Sequence, residues 1–322
     1  MRRLIINADD FGLTAGVNRA IAEAHSFGTI TSTTLMANSP AFQDAVQVAA
    51  EFPKLAVGCH IQLLDGTPVL QPHLVPTLLQ NGTSFRRTFG QLAWAVARNR
   101  INPAEVEAEA TAQIALIQSA GIRVSHVDTH KHAHMFPSIL KPIIRAAHAC
   151  GVNAIRNPFP PSRYLPWGEV LSRHPELWER FVVVQFLRGF APDFRRIIQR
   201  DGIATPDGAL GVISTGSLTL DIVRKIIRRL PEGTWELVCH PGYDDADLAK
   251  VRTRLRESRA KELRIFTAPA IRELLSQHGV ELVSFRELQR EAQLAAGSSR
   301  NVEAGSSASG NAAPRGSSRT AV

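Results

Sequence analysis

"RLIINADDFG" (residues 3–12) opens with an apolar run, Leu4, Ile5 and Ile6, and closes on two adjacent carboxylates, Asp9 and Asp10, ahead of Gly12. The run reads as a buried strand. A polar turn is one explanation of its end, because Asp and Gly are common turn residues. The other is a site in which one carboxylate holds a metal ion and its neighbour handles a proton. The strand is followed by a helix-like segment, 15–27, and the same alternation recurs along the chain. Strands are expected at 3–8, 29–37, 55–63, 124–130, 152–157, 209–214, 235–240 and 280–285, with helices at 15–27, 41–52, 103–120, 138–150, 219–230 and 268–278. Asn102-Pro103 reads as a helix start, and Gly121, Gly151 and Gly279 as stops. Strands alternating with helices imply a parallel sheet. About eight of them predict an α/β fold, a (β/α) barrel deformed by long rim loops. The rim loops are 64–90 and 158–208, the second marked by Pro158, Pro160, Pro161 and Pro166.

The 322 residues are 44% hydrophobic, enough for one large domain or two ordinary ones. No stretch approaches the roughly 20 apolar residues of a membrane span. Charges come too early in MRRLIINADDFG for a secretion signal, so the expectation is a cytoplasmic, soluble protein. The barrel domain is expected over 1–290. Residues 293–322, rich in Gly, Ser and Ala, are expected to be a disordered tail, since they bury too little apolar surface to offset ordering. Cys59, Cys150 and Cys239 are too scattered for a disulfide framework or a zinc knuckle and read as packing residues. The net charge of +8 is concentrated in 224–230 and 251–264. Glu257 and Glu262 interrupt the second run and no aromatic platform accompanies it, so it reads as a solvated helix face and not as a nucleic-acid surface.

Ionisable residues gather where the expected strands end. Asp9 and Asp10 close the first and His60 lies near the end of the third. His126, Asp128 and His130 alternate along the fourth, with His132 and His134 beyond. Arg156 closes the fifth and His240 the penultimate one. In a parallel barrel all these ends open on one face, where the active sites of the fold lie. A metal-ligand set of one carboxylate and two imidazoles leaves positions for water and substrate, as hydrolysis requires. His126 and His130 differ by about 13 Å in depth along an extended strand and cannot share one ion; His130, at the strand end, is better placed. No GxSxG, Walker or GxGxxG motif occurs, which removes the main support for serine-hydrolase, nucleotide and dinucleotide readings.

"NADDFG" (7–12), "TSTTLMAN" (31–38), "VGCHIQL" (57–63), "HVDTHKHAHMFP" (126–137) and "VCHPGYDD" (238–245) together resemble the YdjC-like carbohydrate deacetylases. That family includes chitooligosaccharide deacetylases and a branch associated with hopanoid biosynthesis. The resemblance runs to about residue 290. It implies a deformed barrel that removes acetyl groups from N-acetylated sugars with one divalent metal ion, Mg²⁺ or Zn²⁺, and allows a homodimer. By the same resemblance Asp10, His60 and His130 are the metal ligands, Asp9 is the base and His240 the acid. Arg156, in "RNPF", is similar to an arginine that orients the base. Lys131 departs from the pattern, standing where chitooligosaccharide deacetylases tend to carry histidine.

Two other readings stay open on the residues alone. One is a phosphoesterase or amidohydrolase whose multinuclear centre uses His126, His132 and His134. The other is a sugar-binding protein with a structural metal. The substrate-binding residues and the acetylated sugar are not legible in the sequence.

Overall fold

The computed structural model describes residues 1–161 and 164–294. Residues 295–322, and with them nearly all of the expected tail, lie outside the described residues. Seven parallel strands form one curled sheet: β1 (Arg2–Phe11), β2 (Ser32–Leu35), β3 (Ala56–Ile61), β4 (Val127–Thr129), β5 (Gly208–Leu210), β6 (Gly233–Cys239) and β7 (Val280–Leu282). Their order is β4-β3-β2-β1-β6-β5, with β7 beside the first residues of β1. The architecture is a half-barrel of parallel strands with helices around it. Between β4 and β5 the curl is carried by single bridges, Val127 to Ile155 and Ala154 to Ala204. The expected strand 152–157 is therefore a bridge segment with no ladder of its own. The strand expected at 209–214 ends at Leu210, because the chain turns at Gly211, where φ is +85°.

Side-chain alternation along β1 separates two cores. Leu4, Ile6 and Ala8 join the large apolar layer between sheet and helices. Ile5 belongs to a small cluster with Ala154, Val283 and Phe285 that floors the concave interior. The His126 imidazole stacks on Phe285 there, with ring centroids 3.7 Å apart and planes 7° from parallel. Gly58 makes room for it, since a Cβ at that position would lie 2.4 Å from the ring.

The six expected helices form at Ala15–Ser26, Phe42–Glu51, Pro103–Ser119, Pro137–Ala149, Leu220–Arg228 and Pro269–Gln277. The first is capped by the Thr14 hydroxyl, which accepts from the Val17 amide at 3.1 Å. The excursion 158–208 carries three further helices, Trp167–Arg173, Trp178–Leu187 and Ala191–Asp201. Pro158, Pro160, Pro161 and Pro166 precede Trp167, Pro175 opens a 3₁₀ turn between two helices, and Pro192 sits in the first turn of the third helix, where a missing amide breaks nothing. Loop 64–90 holds two short 3₁₀ turns and is clamped to the helix Pro103–Ser119. Glu109 accepts the Val69 and Leu70 amides, and Glu105 the Thr77 amide. The basic run 251–264 is largely a solvated face, with Arg252, Arg254, Arg256, Lys261 and Arg264 exposed; the exception is on the helix Glu257–Phe266, which buries Arg259 and Glu262. No helix among the described residues is long and apolar enough to cross a membrane.

Candidate metal and hydrolytic site

The doubled carboxylate sits on an irregularity of β1. Ala8 pairs with Thr33 and Phe11 with Leu35, so three steps on β1 match two on β2. One residue is extra, and Asp10 takes φ +65° to accommodate it. A regular strand would aim adjacent side chains to opposite faces; the bulge lets Asp9 and Asp10 face the same site. Gly12, at φ +91°, completes the turn, and the Asn18 side chain accepts its amide at 2.7 Å.

Three atoms that could ligate one metal ion converge at Asp10. Asp10 Oδ1 lies 3.6 Å from His60 Nε2 and 3.5 Å from His130 Nδ1, and the two imidazole nitrogens are 3.3 Å apart. Donors about 2.1 Å from one ion, at tetrahedral or octahedral angles, stand about 3.0–3.4 Å apart, so the triangle fits a single divalent cation. The His60 ring is oriented from behind by Asp128, whose Oδ1 is 2.7 Å from Nδ1. A carboxylate on Nδ1 favours the tautomer that leaves Nε2 free to ligate. Burial alone pushes the His60 imidazole down, but Asp128, then Asp9 and Asp10, outweigh it and hold it at about 9. The site is thus anionic enough to draw a cation or a proton between its ligands.

Asp9 faces a different cation. Arg156, fully buried, grips both its oxygens at 2.9 and 2.6 Å, and its Nε and Nη2 also reach Glu236 Oε1 at 2.8 and 2.7 Å. The same guanidinium is ion-paired with Asp128. Burial opposes the Asp9 charge, yet Arg156, His60 and His240 drive its carboxyl far below the usual carboxylate range. Glu236 bears the cost of three carboxylates around one arginine. Burial pushes it up to about 7 and Asp9 and Asp128 add to this, although Arg156 opposes.

His240 follows β6, with Nε2 3.8 Å from Asp9 Oδ2. Burial, helped by Arg259 and His60, lowers its imidazole to about 4 against the pull of Asp9 and Asp10, so it rests neutral at pH 7. Its backbone amide donates to Glu262 Oε2 at 2.6 Å. Arg259 donates to Asp10 Oδ2 at 2.5 Å, on the oxygen away from the ligand triangle. Gly242 lets that arginine approach, since a Cβ would lie 2.9 Å from Arg259 Cδ.

All six expected site residues, Asp9, Asp10, His60, His130, Arg156 and His240, meet in this one place. The other histidines do not join it. His126 lies in the floor, and His134 is held between the Thr129 hydroxyl at 2.6 Å and the Arg156 carbonyl at 3.1 Å. Among the described residues, neither these two nor His132 falls in a group of three potential ligands. Cys59 and Cys239 are free and buried, and burial pushes both thiols up.

No site role for Asp128, Glu236, Arg259 or Glu262 was legible in the sequence. A charge inside the apolar "WELVCH" marks Glu236. Arg259 and Glu262 share a helix face with Leu263 and Phe266, and that 3–4 spacing signals burial inside the basic run.

The YdjC-like protein family model matches residues 3–277. The chain belongs to that family. It is similar to a carbohydrate deacetylase of Brevibacillus brevis, 32% identical over 89% of this chain and 99% of that one. A carbohydrate deacetylase of Listeria monocytogenes is 34% identical over 89% of this chain and 100% of the relative. Among solved structures, an Enterococcus faecalis V583 protein, described as a candidate for cellobiose-phosphate cleavage, superposes with a TM-score of 0.72. It is 25% identical and covers 89% of this chain and 99% of its own. The matched YdjC-like region includes every residue of the site just described, Asp9 to Glu262.

Proposed function

We propose that the chain is a carbohydrate deacetylase that hydrolyses the acetamido group of an N-acetylated amino sugar, with one divalent ion held by Asp10, His60 and His130. The carrying observation is the 3.3–3.6 Å triangle of one carboxylate oxygen and two imidazole nitrogens, backed by Asp128. The names of the YdjC-like relatives support the substrate class. Two nitrogens and one oxygen suit Zn²⁺ better than Mg²⁺, which prefers oxygen. A divalent ion at such a site supplies Lewis acidity that polarises a carbonyl and makes nearby water acidic near neutral pH.

The protein's own groups handle the protons. Asp9 is kept ionised by Arg156 and stands one residue from the ligand Asp10, so it accepts the proton of the attacking water. His240 rests neutral and lies 3.8 Å from Asp9. The proton collected by Asp9 passes to His240 and from there to the departing nitrogen. One O–H and one C–N bond break, one C–O and one N–H bond form, and the products are acetic acid and an amine, which at neutral pH exchange a proton to become acetate and an ammonium. Loops 64–90 and 158–208 form the rim on which the sugar rests. Lys131, ion-paired with Asp65 of the first loop, stands beside His130.

Acetate release from a panel of N-acetylated sugars, after chelation and re-addition of Mg²⁺, Zn²⁺, Co²⁺ or Mn²⁺, tests the reading. Activity restored by metal at one ion per chain is expected. Full activity in chelator, or two to three ions per chain, would overturn it.

A further inference from the structure

The helix Trp178–Leu187 is apolar on both sides. Phe181, Val184 and Leu187 pack toward the protein, and Phe181 meets Trp167 at 5.3 Å. Trp178, Val182, Val183 and Phe186 point outward and are 53%, 57%, 45% and 78% exposed. A surface helix normally keeps one polar face, and a contiguous exposed apolar row marks a contact surface. The row belongs to the excursion that follows the bridge segment ending at Arg156. Arg180 of the same helix donates to the carbonyl of Thr215, past the end of β5.

Beside it runs a basic loop. Arg254 is close enough to Arg180 to depress its guanidinium, after burial, and Leu255 packs against the backbone at Gly216. Arg252 and Arg254 are exposed and have no ion-pair partner among the described residues, whereas Arg256 is tied to Asp244 at 2.9 Å. The acidic residues at the helix start are Glu176, which faces His174 at 3.2 Å, and Glu179, which faces Arg180.

We propose that this apolar row and the neighbouring arginines seat the protein on an anionic lipid bilayer, with the mouth of the site facing the head-group layer. Aromatic and aliphatic side chains beside free arginines are what an interfacial helix needs: burial in the acyl boundary and attraction to anionic head groups. A second copy of the chain fits less well. A two-fold contact would bring the same arginines of two molecules together, each with a net charge of +8. Vesicle binding needs no turnover, so this surface and the deacetylase reading stand or fall separately.

The test is co-sedimentation of the full chain with vesicles of phosphatidylcholine alone or mixed with phosphatidylglycerol. Wild type is expected to bind the mixed vesicles and to release as salt rises. The pair Trp178→Ser and Phe186→Ser should weaken binding by about tenfold or more. The pair Arg252→Gln and Arg254→Gln should weaken it about fivefold per arginine and flatten the salt dependence. Both variants change exposed residues and should keep the wild-type melting temperature. No binding by wild type, or equal binding by all three proteins, would overturn the proposal. So would an apolar variant that turns a dimer into a monomer and leaves vesicle binding unchanged, which would assign the row to a second copy.

Discussion

Asp9 and Asp10 are one residue apart, and each answers to its own arginine. Arg156 holds Asp9 by both oxygens; Arg259 takes only Oδ2 of Asp10 and leaves Oδ1 in the ligand triangle. Asp10→Asn replaces an anionic ligand by a neutral one and should lower metal affinity, with activity partly restored by excess metal. Asp9→Asn should keep the metal yet lose most turnover, with no rescue. Metal titration of both variants against acetate release decides, and rescue of Asp9→Asn alone would reverse the roles. His240→Ala should bind metal normally and slow amide hydrolysis by about 10²–10⁴-fold, the usual span of general acid–base catalysis. Activated acetyl esters, whose leaving groups need little protonation, should be far less affected. Equal losses on both substrates would remove His240 from the proton path.

Glu262 gives the residue scale a pH signature. Burial pushes its carboxyl from 4.5 up to about 7, although the His240 amide and Arg259 oppose this. Between those values the native protein holds a proton that the unfolded chain has released. This group's contribution to stability therefore falls as pH rises through the window and is flat above it. Glu262→Gln keeps an acceptor for the His240 amide and removes the titration. The melting temperature of the variant, measured in chelator and compared with wild type, should gain on it as the pH climbs from 4.5 to 7. A constant difference would show that Glu262 does not titrate there.

At the scale of elements, the floor of the half-barrel depends on a close fit between β3 and the residue just before β4. Gly58 faces the His126 ring, which cannot retreat because Phe285 stacks behind it at 3.7 Å. Gly58→Ala should cost about 1–3 kcal/mol of stability, the usual penalty of overpacking. Adding His126→Ala should recover part of that loss, a coupling that thermal unfolding of the double-mutant cycle measures. Single effects that simply add would mean that the two positions do not press on each other. His126→Ala alone should keep the metal, because the ring touches none of Asp10, His60 or His130.

For the whole molecule, Arg156 is the point where the edge strand β4 is joined electrostatically to the more distant β1 and β6. It reaches Asp9 on β1, Asp128 on β4 and Glu236 on β6 from a bridge segment that has no ladder of its own. Arg156→Met would leave three buried carboxylates without their cation. Removing one partner from a buried ion pair typically costs about 3–5 kcal/mol, and the loss here should reach at least that range. Denaturant unfolding is the measurement. A loss under about 1 kcal/mol would show that the carboxylates find solvent or protons instead.

The sequence by itself determined the alternation of strands and helices, and it placed Asp9, Asp10, His60, His130, Arg156 and His240 at strand ends. Those are local properties: apolar period, helix caps and the position of a charge at the end of a buried run. It carried no sign of the missing ladder at 152–157 or of the helices between 167 and 201, where the pattern is too broken or too apolar to show a period. Only the tertiary structure decided that the two aspartates share one site, because that depends on the register between β1 and β2. Depth along an extended strand already sets His130 apart from His126, but only the structure decided that the His126 ring stacks on Phe285 in the floor. The pairing of Arg259 with Asp10 spans 249 positions, and no local pattern records such a contact. What a residue is and what lies beside it along the chain were legible; which buried charges would face one another across the barrel was settled by how the sheet curls.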